Sequence, residues 1–576
     1  MDRRVLTAIV LMMAVAILPS VFFKRKPPVQ AVGREGGRAA GETADSGRPA
    51  PTDSPTVSPG PLPPNRPPAL PPGDSLAVTE DSITVTSPLY RYVFSTRGGR
   101  LTGATLLKYP SMRPEESRRP AQILRSTGDL LTVGLLSGRD TLSLRDWHFT
   151  PSSTDLTVSG ATPLTLTAER AGVTVSITYT FRPDDYLIDA QTRVSGLGPD
   201  GGTVLVGMGP GLRNTESDSA EHVHESGIVV KGDKAALTRF TKLKPGQPIA
   251  LNGPFEWVAI KSKYFVTALL APDADPNGRN GGISGAAAVA TETTGRSTSA
   301  VAMQAGIPIK GGGVVAYQVY AGPMEYPRLR AIGHDFDDIN PYGWPGFRTI
   351  IRPVALGARS LLVWMHESLG LAYGVGLVLF GILIRILLWP LNQKAMRSTM
   401  AMQVVQPHIK ELQEKYKSDP QRLQQEMFKL YKEHKVNPFG GCWPMLLPWP
   451  ILLALFFVFQ NTIELRGASF LWLPDLSRAD PTFIIPIAMG LSMFALTKIG
   501  QLGMEPNPQM KVLLYMMPAM MTFLFAKFAS GLNLYYTVMN IASLPQQWML
   551  SRERLRRNPP ASKPVPVPVP VKKPRK

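Results

Sequence analysis

A charged side chain interrupts one of the most apolar stretches of the sequence. Arg385 lies within GILIRILLWP, residues 381–390, which contains no other charge. On insertion scales, an arginine at the centre of a transmembrane helix costs about 2.5–3.5 kcal/mol. Such a residue either marks a polar functional site or extends its long side chain to the membrane surface. Pro390 follows at about 7.5 Å along a helix, so the sequence leaves both interpretations open.

Four amide side chains lie in the same apolar part of the chain. Gln460 and Asn461 end one candidate membrane span, and Asn533 and Asn540 lie on another. Amide groups can hydrogen-bond to a guanidinium group and can line a polar groove. We therefore predict that these four residues lie near Arg385.

Sequence signals for metal or nucleotide chemistry are weak. In EHVHE, residues 221–225, His222 and His224 would share one face of a strand, where a metal site is conceivable. A polar edge or loop is the favoured interpretation. The segment GMGPG, residues 207–211, lacks the spacing and the following helix of a phosphate-binding loop, and the sequence has no Walker-type motif. We predict no metal, no cofactor, no nucleotide hydrolysis and no enzymatic activity.

Composition narrows the class of protein. The chain has 576 residues, with 62 Lys and Arg against 43 Asp and Glu, and a formal net charge of +19. Such an excess suits an anionic partner, either nucleic acid or a membrane surface, and the position of the charges must decide between them. Cys442 is the only cysteine, so an intramolecular disulfide is impossible.

The N-terminal segment resembles a membrane anchor followed by a tether. Residues 5–23 contain no charge and are long enough for one bilayer crossing. A cleaved signal peptide is the alternative, but no A-x-A site follows closely. We therefore interpret residues 1–26 as an uncleaved transmembrane anchor. Residues 27–74 are rich in Pro, Gly, Ser and Thr, which predicts a disordered linker.

The middle of the chain has the period-two pattern of strands. Between residues 75 and 325, short runs such as SITVTS and VTVSITYTF are rich in β-branched residues and separated by Gly, Pro, Asp and Asn. This pattern predicts a large all-β sandwich. The segment EWVAIKSKYFVTALLAP, residues 256–272, predicts two core strands, or a strand and a bend.

The C-terminal part is apolar and helical in pattern. Residues 342–367 alternate charged residues with apolar pairs, which is typical of an amphipathic helix at the membrane interface. Residues 371–550 form the predicted transmembrane core, a bundle of five helices. The predicted spans are residues 371–391, 443–463, 482–499, 512–529 and 532–550.

A charged hairpin separates the first two spans of this core. It covers residues 391–442, and Asp419 and Pro420 predict the start of its second helix. Each arm carries one apolar stripe, and the stripes consist of Ile409, Leu412 and Tyr416, and of Leu423, Met427 and Leu430. The hairpin is either a solvated connector or an arm that captures a partner.

Charge distribution predicts the orientation in the membrane. Residues 391–442 and the basic tail, residues 551–576, each carry nine Lys and Arg, whereas residues 464–481 carry two. Because cytoplasmic loops are enriched in these residues, the hairpin and the tail should be cytoplasmic. The charges around the first span favour the opposite orientation by a small margin. With six spans in total, both termini should be cytoplasmic and the β domain should lie outside.

Several long motifs of the C-terminal part resemble one family. They are QPHIKELQEKY, QEMFKLYKEHKVNPFGGCWPMLLPWPI, ELRGASFLWLPDLS and ASGLNLYYTVMNI. These motifs resemble those of the bacterial YidC membrane protein insertases, of the YidC/Oxa/Alb family, over roughly the last 230 residues. The anchor and the outer β domain resemble the Gram-negative type in their order more than in their residues.

The resemblance implies a function and a site. It implies an inner-membrane insertase and chaperone that moves nascent membrane proteins from the cytoplasm into the bilayer, alone or with the Sec translocon. Arg385 would line a hydrophilic groove, and Tyr535 and Tyr536 would face the entering chain. The hairpin would receive nascent chains, through Ile409, Leu412, Tyr416, Met427 and Leu430. Two positions depart from relatives: Gly381, where some carry Thr, and Trp449, where some carry Met.

Alternative functions and partners remain to be separated. A channel or transporter could use Arg385 as a polar site, and an envelope carbohydrate-binding protein could be built around the β domain. The basic tail favours contact with ribosomes or with anionic lipid. No DNA partner is expected.

Overall fold

The computed structural model describes most of the chain after residue 80. The described ranges are residues 81–116, 119–126, 130–138, 140–197, 201–271, 282–294, 297–309, 313–343, 346–417, 419–434, 449–503 and 508–557. The predicted anchor, residues 1–26, and the predicted linker, residues 27–74, lie outside them. So does the end of the basic tail, residues 558–576.

The described part of the β domain contains twenty strands. The first ten are β1 (Ser82–Thr86), β2 (Tyr90–Ser95), β3 (Leu101–Pro110), β4 (Pro120–Gln122), β5 (Leu130–Ser137), β6 (Asp140–Ser143), β7 (Thr150–Pro151), β8 (Asp155–Thr157), β9 (Thr162–Arg170) and β10 (Val173–Phe181). The others are β11 (Leu187–Ser195), β12 (Gly202–Met208), β13 (Gly227–Lys231), β14 (Ala235–Arg239), β15 (Pro248–Phe255), β16 (Trp257–Lys261), β17 (Phe265–Leu270), β18 (Ile283–Thr294), β19 (Ser297–Ile309) and β20 (Val314–Pro323).

The strands form two sheets that share one core, which confirms the predicted sandwich. One sheet has the order β15-β18-β19-β12-β5-β3-β2-β1-β8, with β4 beside β3 and β6 beside β5. The other has the order β14-β13-β16-β17-β20-β11-β10-β9-β7. Alternate side chains of a strand point to the same face of its sheet. In β10 the alternate residues Val175, Ile177 and Tyr179 are fully buried in the core. Strands β16 and β17 are buried along their whole length, which confirms the two predicted core strands.

The segment EHVHE folds differently from its prediction. Ser219–Glu225 form a short helix, α1, because the Asp218 side chain accepts hydrogen bonds from the backbone N–H groups of Ala220 and Glu221. The interpretation as a strand edge or loop is therefore wrong. Within the described ranges, no group of three or more His, Cys, Asp or Glu residues gathers in a way that could hold a metal ion.

Eight further helices follow the strands in the described part of the chain. They are α2 (Tyr326–Ile332), α3 (Arg348–Leu369), α4 (Tyr373–Lys415), α5 (Pro420–Glu433), α6 (Trp449–Asn461), α7 (Ile484–Gly500), α8 (Pro508–Phe525) and α9 (Ser530–Arg557). Short 3-10 turns cover Pro114–Glu116, Phe240–Lys242, Phe336–Ile339 and Ile463–Leu465. The predicted C-terminal helical region is thereby confirmed.

Helices α4 and α6 to α9 each overlap one predicted span. Among the described residues, one helical stretch, Tyr373–Gln393, has both the length and the apolar composition to cross a membrane. Shorter apolar stretches cover Pro450–Asn461, Ile484–Gly500 and Leu514–Phe525. The exact number of membrane crossings therefore stays a prediction.

Three boundaries differ from the prediction. The amphipathic helix α3 begins at Arg348 rather than at residue 342. Helix α4 continues past residue 391 to Lys415, so the first arm of the hairpin is an extension of the first span. Helix α9 continues past residue 550 to Arg557. Strong helix formers such as Leu, Gln, Lys, Met and Arg follow the apolar parts of α4 and α9, so charge alone does not end either helix.

Candidate functional site

Arg385 lies on α4, three helical turns after its start, and contacts α9. Its Nη2 donates a hydrogen bond to Oε1 of Gln546 at 2.5 Å. Gln546 is 1% exposed, and its Nε2 donates to the backbone carbonyl of Trp389 at 3.1 Å. One amide side chain therefore connects the guanidinium group to the backbone of the same helix one turn later.

The charge of Arg385 has no acidic counterpart in the described part of the chain. Its only hydrogen-bonding partner there is the neutral amide of Gln546. Its Nε is buried and has no partner among the described residues. A guanidinium group has five N–H donors, so this cation keeps unused capacity for an acceptor.

Tyr535 and Tyr536 pack between α9 and its neighbours. The ring of Tyr535 is 5.9 Å from that of Phe380 on α4, and the ring of Tyr536 is 5.4 Å from that of Phe525 on α8. The Tyr535 hydroxyl is buried and has no hydrogen-bond partner among the described residues. This unused hydroxyl belongs to the same α4–α9 contact as Arg385.

Gly381 allows α4 and α9 to approach each other closely. It lies one turn before Arg385, where an added Cβ would be 3.2 Å from Cγ1 of Val538 and 3.5 Å from the Tyr535 ring. A larger side chain here would push the two helices apart. Close packing of α4 against α9 therefore explains why this chain has Gly381 where some relatives carry Thr.

The two predicted amides on α9 bind other helices. Nδ2 of Asn533 donates to the carbonyl of Phe525 on α8 at 2.9 Å, and Oδ1 of Asn533 is buried without a partner among the described residues. Nδ2 of Asn540 donates to the Ser492 hydroxyl on α7 at 3.1 Å. Neither hydrogen bond goes to Arg385, and the prediction that both residues line a groove near Arg385 stays a prediction.

Gln460 and Asn461 belong to the junction between the β domain and the helices. Nε2 of Gln460 donates to Oε1 of Glu225 on α1 at 3.3 Å. Nδ2 of Asn461 donates to the carbonyl of Pro341 at 3.0 Å. The hydrogen bonds of this pair lie at the junction and not at Arg385, and a role of the pair in a groove stays a prediction.

Gln546 is the contact that the sequence prediction missed. It lies 161 residues after Arg385, and no local pattern links the two. The distance along the helix could have indicated this pair. Arg385 and Gln546 each lie several turns after the start of a helix, and the two helices start at the same end of the bundle. On that count, Gln546 is a better candidate partner than Asn533, which lies in the first turn of α9.

The junction itself contains a buried, fully paired arginine. Arg466 follows the turn Ile463–Leu465, and its side chain is 1% exposed. It donates to the Glu216 carboxylate at 2.8–3.1 Å and to the carbonyls of Pro110 and Thr215 at 2.7 and 3.2 Å. A second ion pair joins Arg359 on α3 to Glu464. The Arg466 contacts connect the β domain to the helical part, and the Arg359–Glu464 pair connects α3 to the turn that carries Arg466.

Two buried lysines of the junction are in opposite electrostatic environments. Burial lowers the pKa of Lys261 to about 8, with Glu225 opposing the shift and Arg239 adding to it. Burial alone would also lower the pKa of Lys263, but Tyr264 and the Glu221 carboxylate, 2.9 Å away, raise it above its ordinary value. The hydrogen bond of Lys261 goes only to the neutral Oδ1 of Asn340, at 3.1 Å.

The hairpin packs its apolar stripes against each other. Ile409, Leu412 and Tyr416 on α4 and Leu423 and Met427 on α5 are half-buried, and Leu430 is buried. Asp419 caps α5 by accepting a hydrogen bond from the Arg422 N–H at 3.1 Å, as predicted. Phe428 is 57% exposed on the opposite side of α5. The predicted capture residues are therefore partly or fully buried, their role stays a prediction, and Phe428 is the most accessible large apolar residue of α5.

Part of the basic tail is structural. Arg554 is 6% exposed and donates to the carbonyls of Gly500 at 2.7 Å and Leu502 at 3.2 Å. The Ser551 hydroxyl donates to the carbonyl of Ile499 at 2.7 Å. These bonds satisfy the end of α7, so the tail that is free for a partner begins later than residue 551.

The fold and the polar site define a helical membrane protein with a large β-sandwich domain attached at one end. Residues 82–355 match the family described as the YidC periplasmic domain, and residues 364–557 match the family described as the 60Kd inner membrane protein. The chain therefore belongs to the YidC membrane protein insertase family, as the sequence motifs predicted.

Two relatives of at least 30% identity agree with this assignment. The chain is 31% identical to a protein named membrane protein insertase YidC from Chlorobaculum tepidum, over 81% of each chain. It is 30% identical to one from Syntrophus aciditrophicus, over 96% of this chain and 100% of that protein. A crystal structure of an active YidC insertase is 19% identical, covers 82% of this chain and 93% of its own, and gives a TM-score of 0.33.

Proposed function

We propose that this protein inserts nascent membrane proteins from the cytoplasm into the inner membrane through a hydrophilic groove beside Arg385. The observation that carries the proposal is a cation inside apolar helices that is held by an amide and paired with no acid among the described residues. The names of the relatives support the insertase activity itself. No covalent chemistry and no nucleotide hydrolysis are part of the proposed mechanism.

A polar groove lowers the barrier for the hydrophilic end of a client. Moving a charged tail through hydrocarbon is expensive, and a groove that opens from one side shortens that path. Two opposite charges about 4 Å apart attract by roughly 4 kcal/mol at an effective dielectric of 20 and by about 1 kcal/mol in bulk water. A half-hydrated groove lies between these limits, so Arg385 would recruit an acidic tail without retaining it.

The remaining parts of the groove are assigned by position. Tyr535 packs against Phe380 on α4, in the same α4–α9 contact as Arg385, and its hydroxyl has no partner among the described residues. Tyr536 follows it. Asn533 and Asn540 would form the wall toward α8 and α7. Flexible contacts between the client and these residues would replace lipid during insertion. Gln460 and Asn461 are not included, because they hold the β domain.

The hairpin of α4 and α5 would receive the client on the cytoplasmic side. Its exposed Phe428 offers an apolar contact, and the surrounding Lys and Arg favour anionic surfaces. In this arrangement both termini are cytoplasmic and the β domain is periplasmic. The Sec translocon, ribosomes and anionic lipids are proposed neighbours of the working protein.

Reconstitution tests the proposed activity. Purified protein in liposomes is supplied with a short single-spanning client, and insertion is measured as a protease-protected fragment. We expect protection to depend on the protein and to occur without added nucleotide. If the same vesicles conduct ions or take up solutes but protect no client, the protein is a channel or transporter and the proposal is wrong.

A further inference from the structure

Gln546 makes two hydrogen bonds that together fix the position of its amide oxygen. Its Nε2 donates to the Trp389 carbonyl at 3.1 Å, and its Oε1 accepts from Arg385 at 2.5 Å. Arg385 and Trp389 are four residues apart on α4, so they lie on one face of that helix. Because the nitrogen end is attached to the backbone, the oxygen end is held towards the guanidinium group.

The amide oxygen of Gln has the same size and position as one carboxylate oxygen of Glu, but it is neutral and its neighbour is an NH2 donor rather than a second acceptor. It accepts a hydrogen bond from a guanidinium group with the same geometry. Hydrogen bonds to ionised acceptors are roughly twice as strong as those to neutral ones. A carboxylate that reached this position would therefore replace the amide, whereas a neutral side chain would gain little by doing so.

The hydrogen bond between Arg385 and Gln546 lies in the interior of the helical part rather than on its surface. Gln546 is 1% exposed, and Arg385 is partly buried with an unpartnered Nε among the described residues. A cation in such a place requires an acceptor when no client is present. Gln546 supplies one without cancelling the positive charge, which a Glu or Asp at the same position would do.

We propose that Gln546 is a positioning residue that occupies the carboxylate-binding position of Arg385 and is displaced there by an acidic residue of the client. This inference rests on the proposed function and adds a specificity element to it. The site selects a carboxylate-bearing segment, because only a charged acceptor competes successfully with the resident amide.

Charge substitution at this position tests the inference. In the reconstituted insertion assay, Gln546→Glu places a permanent carboxylate beside Arg385 and should reduce insertion of a client with an acidic tail by about tenfold. Insertion of a matched client with a neutral tail should stay within about twofold. Gln546→Met removes the acceptor without adding charge. Its insertion of the acidic-tailed client should stay within about threefold of the wild-type value.

Gln547→Glu provides the matched control. It is the same chemical change one residue later, and Gln547 lies towards Gly500 on α7 rather than towards Arg385. It should leave the ratio of acidic to neutral clients unchanged. A ratio that falls equally in Gln547→Glu would show that any added charge at this depth is sufficient and would overturn the inference.

Two other results would also overturn it. One is an equal loss of both clients in Gln546→Glu, which would show that Gln546 only packs the helices. The other is normal insertion of the acidic-tailed client by Gln546→Glu together with loss of its insertion by Arg385→Ala. In that case the groove assignment stands and the inference fails. If Arg385→Ala inserts both clients normally, the groove assignment itself fails.

Discussion

Two arginines of this protein, Arg466 in the junction and the partly buried Arg385 on α4, have opposite surroundings. Arg466 donates to one carboxylate and two backbone carbonyls, and its side chain is 1% exposed. Arg385 donates to one neutral amide and has a buried Nε without a partner among the described residues. Both residues carry the same charge in a largely apolar setting, so the difference lies in how far that charge is already satisfied.

The comparison distinguishes a structural cation from one that is available. Removing one partner from a buried ion pair leaves an uncompensated charge and is strongly destabilising, so we infer that Arg466 has a structural role in the junction. Arg385 lacks such a partner and is stabilised only by a replaceable hydrogen bond. We infer that completeness of pairing, more than burial, separates the fixed junction from the groove.

The largest expected effect concerns the partner of Arg466. Glu216→Ala leaves the guanidinium group buried with only its two carbonyl acceptors, and it should lower the free energy of unfolding by about 3–5 kcal/mol. The measurement is the free energy of unfolding of the purified protein in detergent, monitored by circular dichroism. Glu292→Ala is the matched control, because Glu292 is half-exposed in its pair with Arg125 and should cost about 0–1 kcal/mol.

Equal losses in these two variants would remove the distinction between the junction and the surface. A small loss in Glu216→Ala would mean that the two carbonyls suffice for Arg466. The carboxylate partner of Arg466 would then add little stability, and the comparison between Arg466 and Arg385 would fail.

The next effect concerns Arg385. Arg385→Ala should reduce insertion of acidic-tailed clients by about tenfold, because an attraction of more than about 1.4 kcal/mol is lost. Neutral-tailed clients should suffer less. Arg385→Lys should retain substantial activity, since a lysine keeps the charge and loses only the fork geometry of the guanidinium group. The measurement is the protected fraction for each client and variant in liposomes.

Normal insertion of acidic-tailed clients by Arg385→Ala would contradict this prediction. Arg385 would then be a residue that extends towards the membrane surface, and its incomplete pairing would have no functional meaning. Loss of both client types in Arg385→Lys would instead show that the hydrogen-bond geometry to Gln546 matters more than the charge.

Lys261 is an intermediate case that sharpens the comparison. Like Arg385 it donates to a neutral amide, and like Arg466 it lies in the junction. Burial lowers its pKa to about 8 in the folded protein, against 10.5 for an ordinary lysine, while Glu225 opposes the shift and Arg239 adds to it. Between these pH values the unfolded chain holds the proton and the folded chain has lost it, so stability should rise with pH.

The expected size is at most about 1.4 kcal/mol per pH unit between pH 8 and 10.5. Lys261→Met should abolish this part of the increase, because no charge is then buried below pH 8. The difference in unfolding free energy between wild type and variant, measured from pH 7 to 10, isolates the contribution of Lys261 from those of other groups. A constant difference would show that the junction stabilises the charged lysine after all.

The sequence predicted those features that depend on local pattern. Alternation in β10, the continuous apolar runs of β16 and β17, and the Asp419 cap of α5 were readable because neighbouring residues determine them. The short helix α1 was missed because its seven residues, five of them polar, carry no clear period, and its start depends on the cap by Asp218.

The candidate site was only partly predictable, because contacts between helices depend on tertiary packing. Arg385 was evident from its charge, but its partner Gln546 lies on a different helix and follows no motif. Gln460 looked equally suitable in the sequence, yet its hydrogen bond goes to Glu225 of the β domain. Residue type indicated which side chains need a partner, and the fold decided which partner each one meets.

The smallest expected effect concerns the basic tail. Arg554 donates two hydrogen bonds to backbone carbonyls at the end of α7. The five Lys and Arg of residues 558–576 belong to the basic tail, residues 551–576, that is predicted to contact ribosomes or anionic lipid. Removing residues 558–576 should weaken cosedimentation with ribosomes by several-fold at low salt and leave thermal stability unchanged, because phosphate contacts are salt-dependent. Arg554→Ala should do the reverse. Unchanged ribosome binding after the truncation would leave anionic lipid as the partner of the tail, and a loss of stability would show that these cations are structural too.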